Sequence, residues 1–155
     1  MKKLWIFLIL LTLWGCQSQK EVIKDRQEET VEEEVSEKMQ EIYIEIDEYL
    51  CKAELYQNKA TQELLKELPK SYSMEELNGN EKYCYLEKTL PTSSENINEI
   101  KKGDIMLFGN NCLVVFYKDF KTQYLYTKIG RVKDIDEFLE RLPKGKIELT
   151  FHKEQ

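Results

Sequence analysis

Few residues in this 155-residue chain have the chemistry to act on a ligand, and they are scattered. Arg131 is one of only two arginines beyond residue 40. If the strand ending there is regular, Leu125, Thr127, Ile129 and Arg131 share one face, which sets a guanidinium at the mouth of a closed sheet. There it could bind a carboxylate or polarise an amide. The plainer alternative is an ion pair with Asp104 or a nearby glutamate. Asn80, Glu81 and Tyr83 form a second candidate group, a turn that mixes charge with an aromatic ring and could line a groove. Its plainer reading is a turn with a packed tyrosine. Cys51, Cys84 and Cys112 lie in apolar runs where cysteine behaves as a small hydrophobe. With no CxxC spacing they allow one disulfide at most. His152 is the sole histidine, so a zinc site is disfavoured, and a Cys-His nucleophile would lack a third, orienting group. No glycine-rich phosphate loop or serine-centred elbow is present, and nothing calls for a cofactor.

A different chemistry belongs to Cys16. The chain opens Met1-Lys2-Lys3, runs apolar from Leu4 to Trp14, and reaches Gly15-Cys16 before turning polar at Gln17-Ser18-Gln19. This is the layout of an export signal. The apolar run is too short to cross a hydrocarbon core, for which roughly 20 residues are needed. Leu13-Trp14-Gly15-Cys16 resembles the lipobox of bacterial lipoproteins, although Trp14 stands where a small residue is usual. The resemblance implies a leader over 1–15, cleaved before Cys16, and a diacylglycerol thioether on that cysteine. Acyl chains contribute about 0.8 kcal/mol per buried methylene, so such a lipid would hold the protein on a cell membrane or outer membrane.

Loss of Lys2 and Lys3 with a leader takes the formal charge from −6 to −8. A surface this acidic, without a basic stripe, excludes nucleic acid as a partner. Between Gln17 and Gln40 there are four basic and eight acidic groups and no aromatic residue. Too little apolar surface is available there to repay ordering, so residues 16–40 read as a lipidated cysteine and a flexible acidic tether. If unfolded, the segment would span on the order of 25–30 Å.

Residues 41–155 must then supply the folded domain. Ile42, Ile44 and Ile46 alternate with polar neighbours, and Tyr49 to Tyr56 follows after Asp47-Glu48, giving a hairpin. Asn58 is placed to cap a helix from Lys59, with Ala60, Leu64, Leu65 and Leu68 on one stripe before Pro69. Strands are expected at Ser71 to Leu77 and Lys82 to Leu86, either side of Asn78-Gly79-Asn80. A long polar connection, Glu87 to Lys102, precedes Asp104 to Phe108 and Cys112 to Tyr117, a second hairpin. Tyr124 to Val132 is a further strand. Asp134 and Glu137 suggest a capping box for a helix carrying Ile135, Phe138, Leu139 and Leu142. Lys146 to His152 alternates again. Seven or eight short strands with two short helices argue for a mainly β protein, a small closed barrel with the helices over its open ends.

The ordered set Ala60 to Leu65 ending Leu68-Pro69, Asn80 to Tyr83 with Tyr85-Leu86, Lys102 to Ile105, Leu113 to Tyr117 and Ile129 to Val132 resembles the bacterial cyclophilin-like domain family. That resemblance implies an eight-stranded cyclophilin-like barrel over about residues 41–152. It does not carry an activity with it. True cyclophilins isomerise prolyl bonds with an arginine in a Phe-His-Arg stretch, which has no counterpart in this sequence. The expectation is a monomeric, membrane-anchored envelope lipoprotein whose barrel binds a peptide or small ligand. The alternative is an envelope prolyl isomerase or folding helper with a rearranged site near Arg131.

Overall fold

The computed structural model describes residues 39–153. The leader, Cys16 and nearly all of the expected tether lie outside them. The elements in chain order are β1 (Gln40–Ile46), β2 (Tyr49–Leu55), α1 (Lys59–Glu67), β3 (Lys70–Leu77), β4 (Glu81–Tyr85), β5 (Glu95–Asn96), β6 (Glu99–Ile100), β7 (Asp104–Phe108), β8 (Cys112–Phe116), β9 (Phe120–Lys121), β10 (Leu125–Val132), α2 (Ile135–Arg141) and β11 (Ile147–Lys153).

Eight of these strands close on themselves. Their order is β2-β1-β11-β3-β4-β8-β7-β10, and β10 pairs back onto β2. All neighbours run antiparallel. The expected closed eight-stranded barrel with two helices is therefore what the chain forms. Closure leaves no long sheet edge free to template association. The two-residue β5 adds to β10, and β6 pairs with β9 as a separate small ribbon. Both β5 and β6 fall in the stretch expected to be an irregular polar connection.

Local chemistry sets the turns. Asp47 (φ 47°) and Glu48 (φ 63°) both take left-handed backbone, as does the Asn78-Gly79 pair at φ 54° and 64°. Two consecutive left-handed residues match the twist of the strands they join. Asn58 caps α1 as expected: Thr61 N donates to Asn58 Oδ1 at 3.0 Å, and Asn58 N donates to Thr61 Oγ1 at 3.1 Å. The helix ends before Pro69, whose preceding peptide bond is cis. The cap expected for α2 is different. Asp134 makes no side-chain cap; its Oδ2 accepts from Lys52 N of β2 at 2.8 Å, so a contact between elements replaces the local one.

The interior is filled by the inward residues of every barrel strand, among them Ile44, Leu55, Met74, Leu107, Val115 and Phe151. Leu64 of α1 and Phe138 of α2 join the same cluster and are almost fully buried. α1 follows the Leu55 end of β2, whereas α2 lies toward its Tyr49 end, where the Arg141 guanidinium stacks 3.8 Å from the Tyr49 ring. Closure depends on Gly130, which faces Leu55 across the β2–β10 seam. A Cβ there would run into Glu54 O and come within 2.7 Å of Leu55 Cδ2 and 3.0 Å of Leu55 Cα. Lys82 points inward from β4 and is buried, its Nζ donating to Pro143 O at 2.8 Å, Gly145 O at 2.6 Å and Glu76 Oε2 at 3.0 Å. It ties the loop after α2 to the sheet.

Candidate functional site

Three neighbouring strands, β7, β8 and β10, carry apolar residues on both faces. On β7, Ile105 and Leu107 join the interior cluster, while Met106 belongs to a second cluster outside. On β8, Leu113 and Val115 point in, and Cys112, Val114 and Phe116 point out. Part of this outer layer is covered: Ile100 of β6 is fully buried in it, and Phe120 of β9 packs 5.5 Å from the Phe116 ring. The remainder stays open as a cavity of ≈ 300 Å³.

Its walls are aromatic. Period-2 alternation on β4 brings Glu81, Tyr83 and Tyr85 to the outer face, opposite Phe116, Val114 and Cys112. Phe108 ends β7, Tyr124 immediately precedes β10, and Tyr126 is the second residue of that strand. Phe108 packs 5.7 Å from both of those tyrosine rings, and Tyr83 packs edge-on to Tyr85 at 5.9 Å. Tyr83 is further held by its hydroxyl, which donates to Glu75 Oε2 at 3.4 Å. Leu77 and Asn78, from the β3–β4 turn, complete one side.

Among the described residues Glu81 is the only charged one lining the cavity, and 9% of it is exposed. No hydrogen bond or ion pair reaches its carboxylate among the described residues. Burial alone pushes its carboxyl above the usual range. The one thiol among its described lining residues, Cys112, is not activated. Burial drives the Cys112 thiol up to about 11, and those of Cys51 and Cys84 to about 11 and about 12. All three cysteines are free and buried. His152 sits on the outside of β1 and β11, 2.7 Å from Glu45 Oε2, while Cys51 and Cys84 face the interior and Cys112 belongs to the outer cluster, so among the described residues His152 pairs with a carboxylate and not with a thiol. Among the described residues no group of His, Cys, Asp or Glu side chains could hold a metal ion.

Of the residues singled out from sequence, Glu81 and Tyr83 come together in this cavity. Asn80 does not line it: its carbonyl accepts from Tyr117 N at 2.9 Å, and its Oδ1 is buried without a partner. Arg131 lies elsewhere, and the inward orientation expected for it is corrected. The β7–β10 register slips between Lys128 and Gly130, so Lys128 faces Met106 while Gly130 faces Ile105. One extra residue reverses the side-chain parity beyond it. Arg131 thereby turns outward, opposite Asp104, and donates to Asp104 Oδ1 from Nε at 2.9 Å and Nη2 at 2.6 Å. Asp104 also accepts from Lys101 N at 2.8 Å and is nearly buried. The ion pair named as the plainer alternative is what forms.

Sequence reasoning missed Tyr85, Phe108, Tyr124, Tyr126 and Leu77. A signal was present in the paired spacing Tyr83-x-Tyr85 and Tyr124-x-Tyr126, which puts each pair on one face of a strand.

This barrel belongs to the cyclophilin-like family, whose pattern matches residues 44–152. No curated protein matches the chain. Among solved structures it is similar to a hypothetical protein from Archaeoglobus fulgidus, determined in solution, at 17% identity and a TM-score of 0.49. That similarity covers 75% of this chain and 95% of the other.

Proposed function

We propose that the protein is a non-catalytic binding module, held on the surface of a cell membrane or outer membrane by a lipid on Cys16, whose outer aromatic groove takes a peptide or small ligand. The observation that carries the reading is the placement of exposed apolar surface. Six large hydrophobic residues are exposed among those described, and four of them, Leu77, Tyr85, Phe108 and Tyr124, line this cavity. Apolar side chains scattered singly need no explanation, but a cluster around a concavity marks a contact surface. The sequence supports the anchor through the order of signal, cysteine and acidic tether. No helix among the described residues is long and apolar enough to cross a membrane.

The groove is tested by adding a panel of aromatic and aliphatic fragments and short peptides to protein carrying ¹³C-labelled tyrosine and phenylalanine. Ring signals of Tyr83, Tyr85, Phe108, Tyr124 and Tyr126 should move; a panel that leaves them all in place contradicts the reading. The anchor is tested separately by lipid-precursor labelling of the parent chain and Cys16→Ala, and equal labelling refutes it. The alternative, prolyl isomerisation through Arg131, draws no support from a guanidinium committed to Asp104 and absent from the aromatic cavity. Proline-peptide turnover that disappears in Arg131→Ala would reinstate it.

A further inference from the structure

Resting on the reading of the groove as a ligand site, we infer that its occupant presents an ammonium cation on an apolar stem, seated against the aromatic rings with its charge toward Glu81. The geometry of charge carries this. Other carboxylates on these strands have partners: Glu76 pairs with buried Lys82 at 3.0 Å, Glu75 accepts from Tyr83 Oη, and, away from the cavity, Asp104 pairs with Arg131. Glu81 is more buried than Glu76 or Glu75, yet it faces an open cavity without a countercharge. No lysine or arginine among the described residues lines the groove.

Three ligand classes can be weighed against that arrangement. An anion would meet a desolvated carboxylate in a chain of formal charge −6, so it is repelled both locally and at long range. A neutral apolar ligand would bury Glu81 further and supply nothing to its charge. A cation satisfies the carboxylate and at the same time meets the negative faces of the tyrosine and phenylalanine rings. Between cations, a guanidinium brings five N–H donors in a fixed plane, and each must find an acceptor when the group is buried. An ammonium needs fewer, and a methylated ammonium needs none. Rings with a single carboxylate therefore suit a methylated ammonium group. Its source is either a free small solute or a lysine-type side chain of a polypeptide.

The test uses the full chain in a maltoside detergent, with ring-selective NMR shifts as readout and three probes. These are choline, its uncharged isostere 3,3-dimethylbutanol, and a short peptide with one trimethyllysine. Choline, the peptide, or both should shift the groove rings, and the isostere should bind about tenfold more weakly than choline or not at all. Binding by choline alone identifies a small solute, and binding by the peptide alone a polypeptide; either sustains the inference. Glu81→Gln should abolish the preference for charge, weakening choline while the isostere, which no longer covers a carboxylate, binds at least as well as before. Tyr124→Leu keeps apolar area at an exposed position, so it tests the ring without threatening the fold. It should weaken the cation several-fold and spare the isostere. Equal binding of choline and isostere, or a preference that survives both substitutions, overturns the inference while leaving the groove as a binding site. If no cationic probe moves the groove rings, the inference fails. Whether the groove reading fails with it is then decided by the neutral and anionic members of the fragment panel.

Discussion

The barrel carries two apolar clusters built from the same strands. β7, β8 and β10 each send alternate residues to the interior and to the outer cluster, so composition hardly distinguishes the two faces. What distinguishes them is how they are closed. The interior is sealed by the full circuit of strands and by Leu64 and Phe138 from the two helices. The outer layer is sealed only where Ile100 and Phe120 cover it, and beyond them its rings stand open around Glu81. A fully enclosed cluster lowers the free energy of folding and does little else. A half-covered one retains surface that a ligand can still bury, and it tolerates an unpaired carboxylate that a folded interior would not.

That contrast fixes where substitutions should act. The largest effect is expected inside: Phe138→Ala removes a fully buried ring from the helix over one barrel end and should cost about 3–5 kcal/mol in chemical denaturation. A loss below about 1 kcal/mol would mean that α2 does not seal the interior. Gly130→Ala comes next. Two of the atoms its methyl group would meet, Glu54 O and Leu55 Cα, belong to the backbone across the seam and cannot simply rotate away. A cost of about 2–4 kcal/mol, with loss of amide protection along β2 and β10, is expected. Arg131→Ala should cost about 1–2 kcal/mol, since Asp104 keeps Lys101 N but loses two donated bonds. Ligand shifts in the aromatic groove should survive that change.

The outer face should answer with the opposite sign. Burial raises the Glu81 carboxyl above its ordinary value in the folded chain. Folding therefore takes up a proton between the unfolded and the raised folded values, and stability falls as pH rises through that window. Glu81→Gln removes the penalty. It should raise Tm slightly at neutral pH, with the gain vanishing once the pH drops below the usual glutamate range. A Tm lowered by this substitution at neutral pH would show Glu81 to be a structural residue.

The interior half of this contrast was legible in the sequence, and the outer half was not. Ile42, Ile44 and Ile46 alternate cleanly because one face of β1 meets water, so strand, face and hairpin all follow. Ile105 to Leu107 and Leu113 to Phe116 are buried on both sides, and a continuous apolar run does not reveal that a second layer exists. Residues 95–100, which help to cover that layer, read as polar connection because β5 and β6 are two residues each. Arg131 was misplaced for another reason: the slip near Ile129 is a tertiary accommodation with no local signature, and it reverses every side chain after it. Asp134 likewise has the right type for a helix cap, yet the backbone of β2 competes for its carboxylate and wins.

The most direct check of the contrast is the double substitution Tyr85→Ala/Tyr124→Ala, with stability and ligand shifts measured on one sample. Both rings are mostly exposed, at 70% and 65%. Unfolding free energy should stay within about 0.5–1 kcal/mol of the parent chain, while affinity for any fragment that moves the groove rings falls about tenfold or more. Undiminished affinity in a fully folded double variant would contradict the assignment of function to the outer aromatic cavity.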